Sequence, residues 1–129
     1  MPLTQKSPLR VLLAEDDANL REVLTQTLIE DGFEVSAAAN GAEALQRVQR
    51  FQPDVILLDM NMPVMDGPTF AERYRQLPLR HAPIVAVTAA GAAHQWAERI
   101  KAAAWLNKPF DVCALTCLLT RLPAAAASG

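Results

Sequence analysis

The stretch Val55-Ile56-Leu57-Leu58-Asp59-Met60-Asn61-Met62-Pro63, residues 55–63, decides the fold of this chain. Its first four residues are apolar without interruption, which is typical of a strand that is covered on both faces. The apolar run ends at Asp59, a carboxylate. The stretch therefore predicts a buried strand of a parallel sheet with an acidic residue at its carboxyl end.

Four other apolar runs of strand length occur along the chain. The five predicted strands are Val11–Ala14, Phe33–Ala38, Val55–Leu58, Ile84–Val87 and Ala104–Leu106. Segments with helical spacing of apolar residues follow each of them. The helix signals are Leu20, Val23, Leu24 and Leu28 with Gly32 behind them, Asn40 and Glu43 at capping-box spacing, Gly67-Pro68, a short segment around Ala93–Lys101, and Asp111 before Val112, Leu115, Leu118, Leu119 and Leu122. This alternation predicts an α/β fold with a doubly wound, five-stranded parallel sheet and five helices, and we favour the flavodoxin-like strand order 2-1-3-4-5.

Length and composition limit the classes of protein to which the chain can belong. Its 129 residues, of which 51% are hydrophobic, suit one compact domain. We expect that domain at residues 8–122, with flexible tails at 1–7 and 123–129. The net charge of −2 argues against direct nucleic-acid binding. No apolar run approaches the ~20 residues of a membrane span, and no secretory signal is seen, so a cytoplasmic location is expected.

The chain has two cysteines, Cys113 and Cys117, four residues apart in the last predicted helix. A structural zinc site needs four ligands, and no further cysteine or histidine is near them in the sequence. Their spacing is at the upper limit for an unstrained disulfide. We therefore expect reduced, buried, structural cysteines.

Polar residues follow four of the five predicted strands. The first strand is followed by Glu15-Asp16-Asp17, the third by Asp59, the fourth by Thr88 and the fifth by Asn107-Lys108. In a sheet of this order, ligands bind outside the carboxyl ends of the strands near the point where the strand order reverses. The polar residues are therefore expected in one cleft.

The residue types in this cleft suit phosphoryl transfer. Carboxylates repel one another by about 4 kcal/mol per pair at 4 Å and an effective dielectric constant near 20, which favours a bound cation. Carboxylate ligands suit a hard ion such as Mg²⁺, which also binds phosphate oxygens. Lys108 adds a positive charge and Thr88 adds a hydroxyl. With Asp59 as a carboxylate nucleophile, these groups make a plausible phosphoryl-transfer site.

Four segments resemble the motifs of the response-regulator receiver family, in the same order along the chain. They are Leu13–Asp17, Leu57–Gly67, Val87-Thr88-Ala89 and Lys108-Pro109-Phe110. The resemblance covers roughly Leu9 to Leu122. It implies a signalling switch rather than an enzyme, with a sensor histidine kinase or histidine phosphotransfer protein as phosphoryl donor. A downstream protein target, or an output domain absent from this chain, would receive the signal.

The resemblance also implies roles for individual residues. Asp59 accepts the phosphoryl group, and Thr88 and Lys108 contact it. Mg²⁺ is held by Asp16, Asp59 and the backbone carbonyl of Asn61, with Glu15 acting through water. Glu15 stands where the family more often has aspartate. Trp105 occupies the position of the aromatic switch residue and is expected to point outward before phosphorylation, and the Lys108–Pro109 peptide bond is expected to be cis.

Three rival interpretations remain at this point. One is a small hydrolase similar to an acid phosphatase, although no second catalytic domain is seen that would hold its substrate. A degenerate receiver would bind partners independently of phosphorylation, although the acceptor, metal and phosphate positions are intact. A flavin- or nucleotide-binding protein of the same fold would need a phosphate-binding loop after the first strand, and here that loop is acidic. The segment between Thr88 and Lys108 is about two residues shorter than the family pattern and lacks the usual Gly-Ala turn. The fourth helix is therefore expected to be short, displaced or loosely packed.

Overall fold

The predicted architecture is confirmed. A computed structural model describes residues 8–89 and 91–128, with side chains described as far as Leu122. Within that part of the chain, the elements are β1 (Arg10–Ala14), α1 (Ala18–Glu30), β2 (Glu34–Ala38), α2 (Gly41–Phe51), β3 (Val55–Asp59), α3 (Gly67–Gln76), β4 (Ile84–Ala89), α4 (Ala93–Ile100), β5 (Ala104–Lys108) and α5 (Val112–Ser128). The sheet is parallel throughout and has the order β2-β1-β3-β4-β5.

The sheet separates two apolar layers because successive side chains of a strand point to opposite faces. Leu58 of β3 packs with Phe70 and other residues of α2, α3 and α4 on one face. Leu57, its neighbour in the chain, packs with Leu24 of α1 and Leu119 of α5 on the other. All five residues of β3 are buried. The continuous apolar run of this strand is thus explained by burial on both sides.

The local helix signals in the sequence are used in the structure. Asn40 caps α2 by accepting a hydrogen bond from the Glu43 N–H at 2.9 Å. The Glu43 carboxylate accepts in turn from the N–H of Ala39, one residue before the position that an ordinary capping box uses. Gly32 follows α1 with a φ of +97°, a conformation that favours glycine. These contacts fix where the helices begin and end.

Helix α4 is short, as predicted. It has eight residues, which makes it the shortest of the helices in the described part of the chain. Lys101 ends it in the left-handed conformation, with a φ of +58°. The Arg75 guanidinium of α3 donates hydrogen bonds to the carbonyls of Ile100 and Lys101, the latter at 3.0 Å. Its buried residues, Ala97 among them, and this contact hold α4 firmly, so the shortening does not loosen it.

Several element boundaries differ from expectation, most of all those at the ends of β5 and α5. Strand β5 runs to Lys108 instead of ending at Leu106, because β4 continues to Ala89 and pairs with it as far as Lys108. Helix α5 continues beyond Leu122 to Ser128. Residues 124–127 are all alanine, the residue with the highest helix propensity. Of the predicted tails, residues 1–7 and Gly129 lie outside the described residues.

The prediction that the cysteines are buried is wrong. Cys113 and Cys117 are free thiols and both are exposed. Helix α5 directs Leu115 and Leu119 into the core, where both are fully buried. Each cysteine precedes one of these leucines by two residues, or about 200° around a helix of 3.6 residues per turn. The cysteines therefore face solvent on the opposite side of the helix.

Among residues 8–89 and 91–128, none of the helices is both long enough and apolar enough to span a bilayer.

The positive φ of Lys101 leads to a first prediction. Replacing Lys101 with glycine should raise the free energy of unfolding by about 1 kcal/mol. The left-handed conformation costs a non-glycine residue roughly 1–2 kcal/mol, which glycine avoids. Part of this gain is offset because glycine loses more conformational entropy on folding. Urea denaturation measures the change. Gln95→Gly, at an exposed position inside α4, is the control and should lower stability by about 1 kcal/mol. A loss of stability in Lys101→Gly would contradict the prediction.

A second prediction concerns Tyr74, which is buried on α3. Its hydroxyl accepts a hydrogen bond from the Ala82 N–H at 2.7 Å. Tyr74→Phe should lower the free energy of unfolding by about 1–3 kcal/mol, because that buried N–H loses its partner. The control is Phe51→Tyr, which adds a hydroxyl at a half-buried position elsewhere. Combined with Tyr74→Phe, it is not expected to restore the lost stability. An unchanged urea midpoint in Tyr74→Phe would show that the bond contributes nothing.

The same residue gives a pH dependence with a defined sign. Burial raises the pKa of Tyr74 above its ordinary value of 10.0 and outweighs the lowering by the Ala82 N–H and by Arg80 and Arg75. The native state thus retains the phenol proton longer than the unfolded state, so stability should fall as the pH rises above that value. The chain has one tyrosine, so phenolate absorbance reports this group alone. A native titration at or below the ordinary pKa would contradict the expectation.

Candidate functional site

The carboxylates predicted to converge do so at the carboxyl ends of β1 and β3. These strands are adjacent, and Ala14 pairs with Leu58, so the residues that follow them are neighbours. Glu15, Asp16 and Asp59 each place one oxygen within 4.8 Å of the others. Glu15 and Asp59 are buried, at 2% and 5% exposure, while Asp16 is exposed.

Lys108 supplies the positive charge at this cluster. Its Nζ lies 2.7 Å from Glu15 Oε1 and 3.0 Å from Asp59 Oδ2. The residue ends β5, two strands away from β3 in the sheet, and the peptide bond that follows it, to Pro109, is cis as expected. One ammonium group therefore bridges the two buried carboxylates.

The electrostatics of the cluster follow from burial and from this bridge. Loss of solvent raises the pKa of Glu15, and the nearby charge of Asp59 raises it further. The hydrogen bonds from Lys108 and from the Asp17 N–H lower it, but by less. For Lys108, burial lowers the pKa, yet the bonds to Glu15 and Asp59 together outweigh burial and raise it. The ammonium is therefore charged at neutral pH, as a phosphate contact requires.

Asn61 connects Asp59 with Thr88. Its backbone N–H donates to Asp59 Oδ1 at 3.1 Å, and its side-chain Nδ2 donates to Thr88 Oγ1 at 3.4 Å. Thr88 accepts in this second bond, so its own hydroxyl hydrogen is not used there. Both oxygens of Asp59 thus have a defined donor, Asn61 on one and Lys108 on the other. The carboxylate is held in one orientation, and Thr88 is connected to it through Asn61.

Two residues near the cluster position the loop between β1 and α1. Asp17 is the N-cap of α1 and accepts from the N–H groups of Asn19 and Leu20 at 3.0 and 3.1 Å. The Arg21 guanidinium donates to the carbonyl of Glu15 at 2.8 Å and to that of Asp16 at 3.3 Å. This role of Arg21 was not predicted. In the sequence it is marked only as a cation in the first turn of a helix that follows an acidic cluster.

The loop after Asp59 approaches it closely. A Cβ on Gly67 would lie 2.4 Å from the Asp59 carbonyl oxygen and 2.8 Å from Met60 Cα, so only glycine fits at the start of α3. Earlier in this loop, Val64 has a φ of +68° and its side chain is 84% exposed. That conformation is rare for a β-branched residue. The loop that carries Asn61 is thus fixed at both ends but locally strained at Val64.

Trp105 is 44% exposed. Its ring packs against the ring of His94 on α4, with 4.5 Å between the ring centroids. His94 is itself exposed, and its ring covers part of this tryptophan. Sequence spacing gave no indication of that contact.

The donor set fits a hard divalent cation. All three clustered side chains offer carboxylate oxygens, which such ions prefer, and one of the three, Asp16, is open to solvent. The backbone of Asn61 is tied to Asp59 and lies at the same edge of the cluster. The residues present are therefore suited to an oxygen-ligated ion.

Comparison with known proteins agrees with this geometry. Residues 11–120 match the family model described as the response regulator receiver domain. The transcriptional regulatory protein PrrA of Mycobacterium leprae is 36% identical over 125 residues, which cover 92% of this chain and 53% of that protein. The probable transcriptional regulator ycf29 of Porphyra purpurea is 34% identical over 118 residues, which cover 87% of this chain and 55% of that protein. This chain thus spans about half the length of these relatives.

Two solved structures match this chain over nearly their whole length. The chemotaxis protein CheY4 of Vibrio cholerae is 36% identical with a TM-score of 0.79, and the match covers 89% of this chain and 98% of that one. A response regulator from Chloroflexus aurantiacus is 34% identical with a TM-score of 0.83, covering 91% and 98% respectively. Receiver domains are switch domains of two-component systems, which interact with histidine kinases and downstream effectors. The chain belongs to the response regulator receiver domain family.

Proposed function

We propose that this receiver accepts a phosphoryl group on Asp59 from a sensor histidine kinase or histidine phosphotransfer protein, in a reaction that depends on Mg²⁺. The observation that carries the proposal is the fixed carboxylate of Asp59, held between the Lys108 ammonium and the Asn61 N–H beside two further carboxylates. This carboxylate lies at the carboxyl end of β3, next to the point where the strand order reverses, which is where ligands bind in sheets of this kind. The proposed donors act in the cytoplasm, where we place the protein.

The chemistry requires an oxygen nucleophile and a stabilised phosphoryl group. A carboxylate oxygen of Asp59 attacks phosphorus, the phosphorus–nitrogen bond of a phosphohistidine breaks, and its electron pair returns to the imidazole nitrogen. The product is an acyl phosphate on Asp59. Lys108 is within reach of the transferred oxygens because its Nζ already contacts Asp59. Fixed positive charge of this kind stabilises the transition state of phosphoryl transfer.

The metal would be held by residues of the same cluster. Asp16, Asp59 and the Asn61 backbone carbonyl are the proposed direct ligands, and Glu15 is the proposed ligand through water. Magnesium supplies charge that neutralises the phosphoryl oxygens when it is bound. Glu15 already has a partner in Lys108 and accepts from the Asp17 N–H at 3.0 Å, so its carboxylate is oriented before any ligand arrives. We expect modest affinity for Mg²⁺, because these ligands leave coordination positions to water.

The register of β4 and β5 supports Thr88 and Trp105 as the switch. Thr88 pairs with Asn107 and Ala86 pairs with Trp105, and paired residues of parallel strands point to the same face. The four side chains therefore share one face of the sheet. Ala86 is small, so movement of the Thr88 hydroxyl toward a phosphoryl oxygen would leave space over these two positions for the Trp105 ring. The charge gained at Asp59 would thus change the surface at β5 that effectors meet.

A third prediction tests the acceptor. Incubation with acetyl phosphate and Mg²⁺ should produce one acyl phosphate per chain, detected by intact mass and by phosphate-affinity electrophoresis. Asp59→Asn should abolish it, because an amide is a far poorer nucleophile. Asp31→Asn, an exposed carboxylate at the end of α1, is the matched control and should be phosphorylated as the unmodified chain is. Undiminished phosphate on Asp59→Asn would place the acceptor elsewhere, and an unmodified native chain would favour the degenerate receiver.

A fourth prediction tests the switch. Beryllofluoride with Mg²⁺ should lower the accessibility of Trp105 to an aqueous quencher, because the ring moves from its exposed position toward Ala86. The experiment uses a Trp96→Phe background so that Trp105 is the only tryptophan. Thr88→Ala in the same background should bind beryllofluoride but uncouple the ring from it. Unchanged quenching in a chain whose Asp59 is occupied would show that Thr88 and Trp105 are not coupled here.

A further inference from the structure

The outer face of α5 carries two free thiols that the phosphoryl-transfer site does not use. Cys113 and Cys117 are both exposed, whereas Leu115 and Leu119 on the other side of the helix are fully buried. Asp111 caps the start of the helix by accepting from the Cys113 N–H at 3.0 Å. The helix is therefore fixed both in where it begins and in which side faces solvent. The two thiols are held on one exposed strip.

The spacing of the thiols suits a bridging ligand better than a disulfide. Residues four apart on a helix have Cβ atoms about 5–6 Å apart. A relaxed disulfide needs Cβ atoms about 3.5–4.5 Å apart, so direct oxidation of this pair would strain the helix. A thiophilic atom with bonds of about 2.3 Å to each sulfur separates two sulfurs by roughly 3.8 Å at a tetrahedral angle. Ordinary side-chain rotation brings the two thiols to that separation.

The number of available ligands then selects the kind of centre. The chain contains no other cysteine. Among the described residues, no histidine, aspartate or glutamate joins this pair in a group of three ligand atoms, since the acidic cluster at Asp59 is the only such group found. A four-coordinate zinc ion would lack half of its protein ligands. A trivalent arsenic atom with one organic substituent needs two sulfurs and no more.

We infer that Cys113 and Cys117 form a dithiol site for soft, thiophilic centres of low coordination number, of which monosubstituted trivalent arsenicals are the best match. Soft thiolate ligands select such centres over the hard cations that suit the carboxylate cluster. With an arsenic oxide, each thiol gives up its proton, two arsenic–sulfur bonds form, the arsenic–oxygen bond is lost, and the oxygen leaves as water. Arsenic remains trivalent, so no oxidant or reductant is needed.

The site is independent of phosphorylation at Asp59. It lies on the solvent side of α5, and the core side of that helix packs through Leu115 and Leu119 against Val87 and Leu57. A ligand that joins the two thiols would staple the first turns of α5 without altering the acidic cluster. Asp59→Asn should therefore bind the arsenical as the unmodified chain does, which separates failure of this inference from failure of the proposed function.

Phenylarsine oxide tests the site in the full, reduced chain. The expected result is one adduct per chain by intact mass, with both thiols protected from a maleimide and with a raised melting temperature. Cys113→Ser and Cys117→Ser should each weaken binding by at least about 100-fold, because joining two linked groups gains roughly 10²–10⁴ over one. Two adducts per chain, no adduct, or a single variant that binds like the native chain would each overturn the inference.

A matched pair of variants separates spacing from thiol number. Arg121 is exposed and lies four residues beyond Cys117 on α5. Cys113→Ser combined with Arg121→Cys leaves thiols at 117 and 121, again four apart, and should restore tight binding. Cys117→Ser combined with Arg121→Cys leaves them eight apart, about 12 Å along the axis, and should bind as weakly as one thiol. Equal affinity of these two variants would refute the bridged geometry, and circular dichroism verifies that both are folded.

Discussion

Two buried carboxylates, Glu15 and Asp59, lie side by side, and the ammonium of Lys108 is the charge that makes this arrangement tolerable. Like charges this close repel by several kcal/mol, and burial removes the water that would screen them. Lys108 contacts both. Because the three residues come from β1, β3 and β5, their contact depends on a sheet that brings three separate strand ends to one edge. An apolar core covers both faces of that sheet, but the strand order matters for chemistry at the carboxyl-terminal edge, where these polar side chains meet.

The loops around the site follow from the same constraint. A carboxylate pair that is held by one lysine must have every other hydrogen-bonding group satisfied or exposed. Asn61 binds one oxygen of Asp59, the Asp17 N–H binds one oxygen of Glu15, and Arg21 fastens the carbonyls of the first loop. Gly67 lets α3 begin directly against the backbone of Asp59. These loops have defined conformations because they supply the partners of buried charges. A buried charge without its partners costs more free energy than a poorly packed apolar group.

Features that follow from the pattern of apolar and polar residues were predicted from the sequence. Features that depend on contacts between residues distant in the sequence were not. The sheet order and the positions of Asp59, Thr88 and Lys108 were predictable, because apolar runs that end in polar residues mark the carboxyl ends of buried strands. The cysteines were wrongly placed because free cysteine is usually buried, whereas on α5 the leucines decide which face is inside. Lys101 in a left-handed conformation and the packing of His94 on Trp105 carry no local signal. Both arise only when α4 is placed between α3 and β5.

The short helix α4 is also what connects the site to the surface. Thr88 pairs with Asn107 in the sheet, and Asn107 Oδ1 accepts a hydrogen bond from the backbone N–H of Ala93, the first residue of α4, at 3.2 Å. The next residue, His94, packs on Trp105. In the proposed switch, a displacement at Thr88 would have to cross only one strand pair and one hydrogen bond to reach the start of α4. At its other end, Arg75 ties α4 to α3. A helix of eight residues that is held at both ends has little freedom to bend, so in the proposed switch a shift at its first turn would move the whole element and the exposed tryptophan beside it.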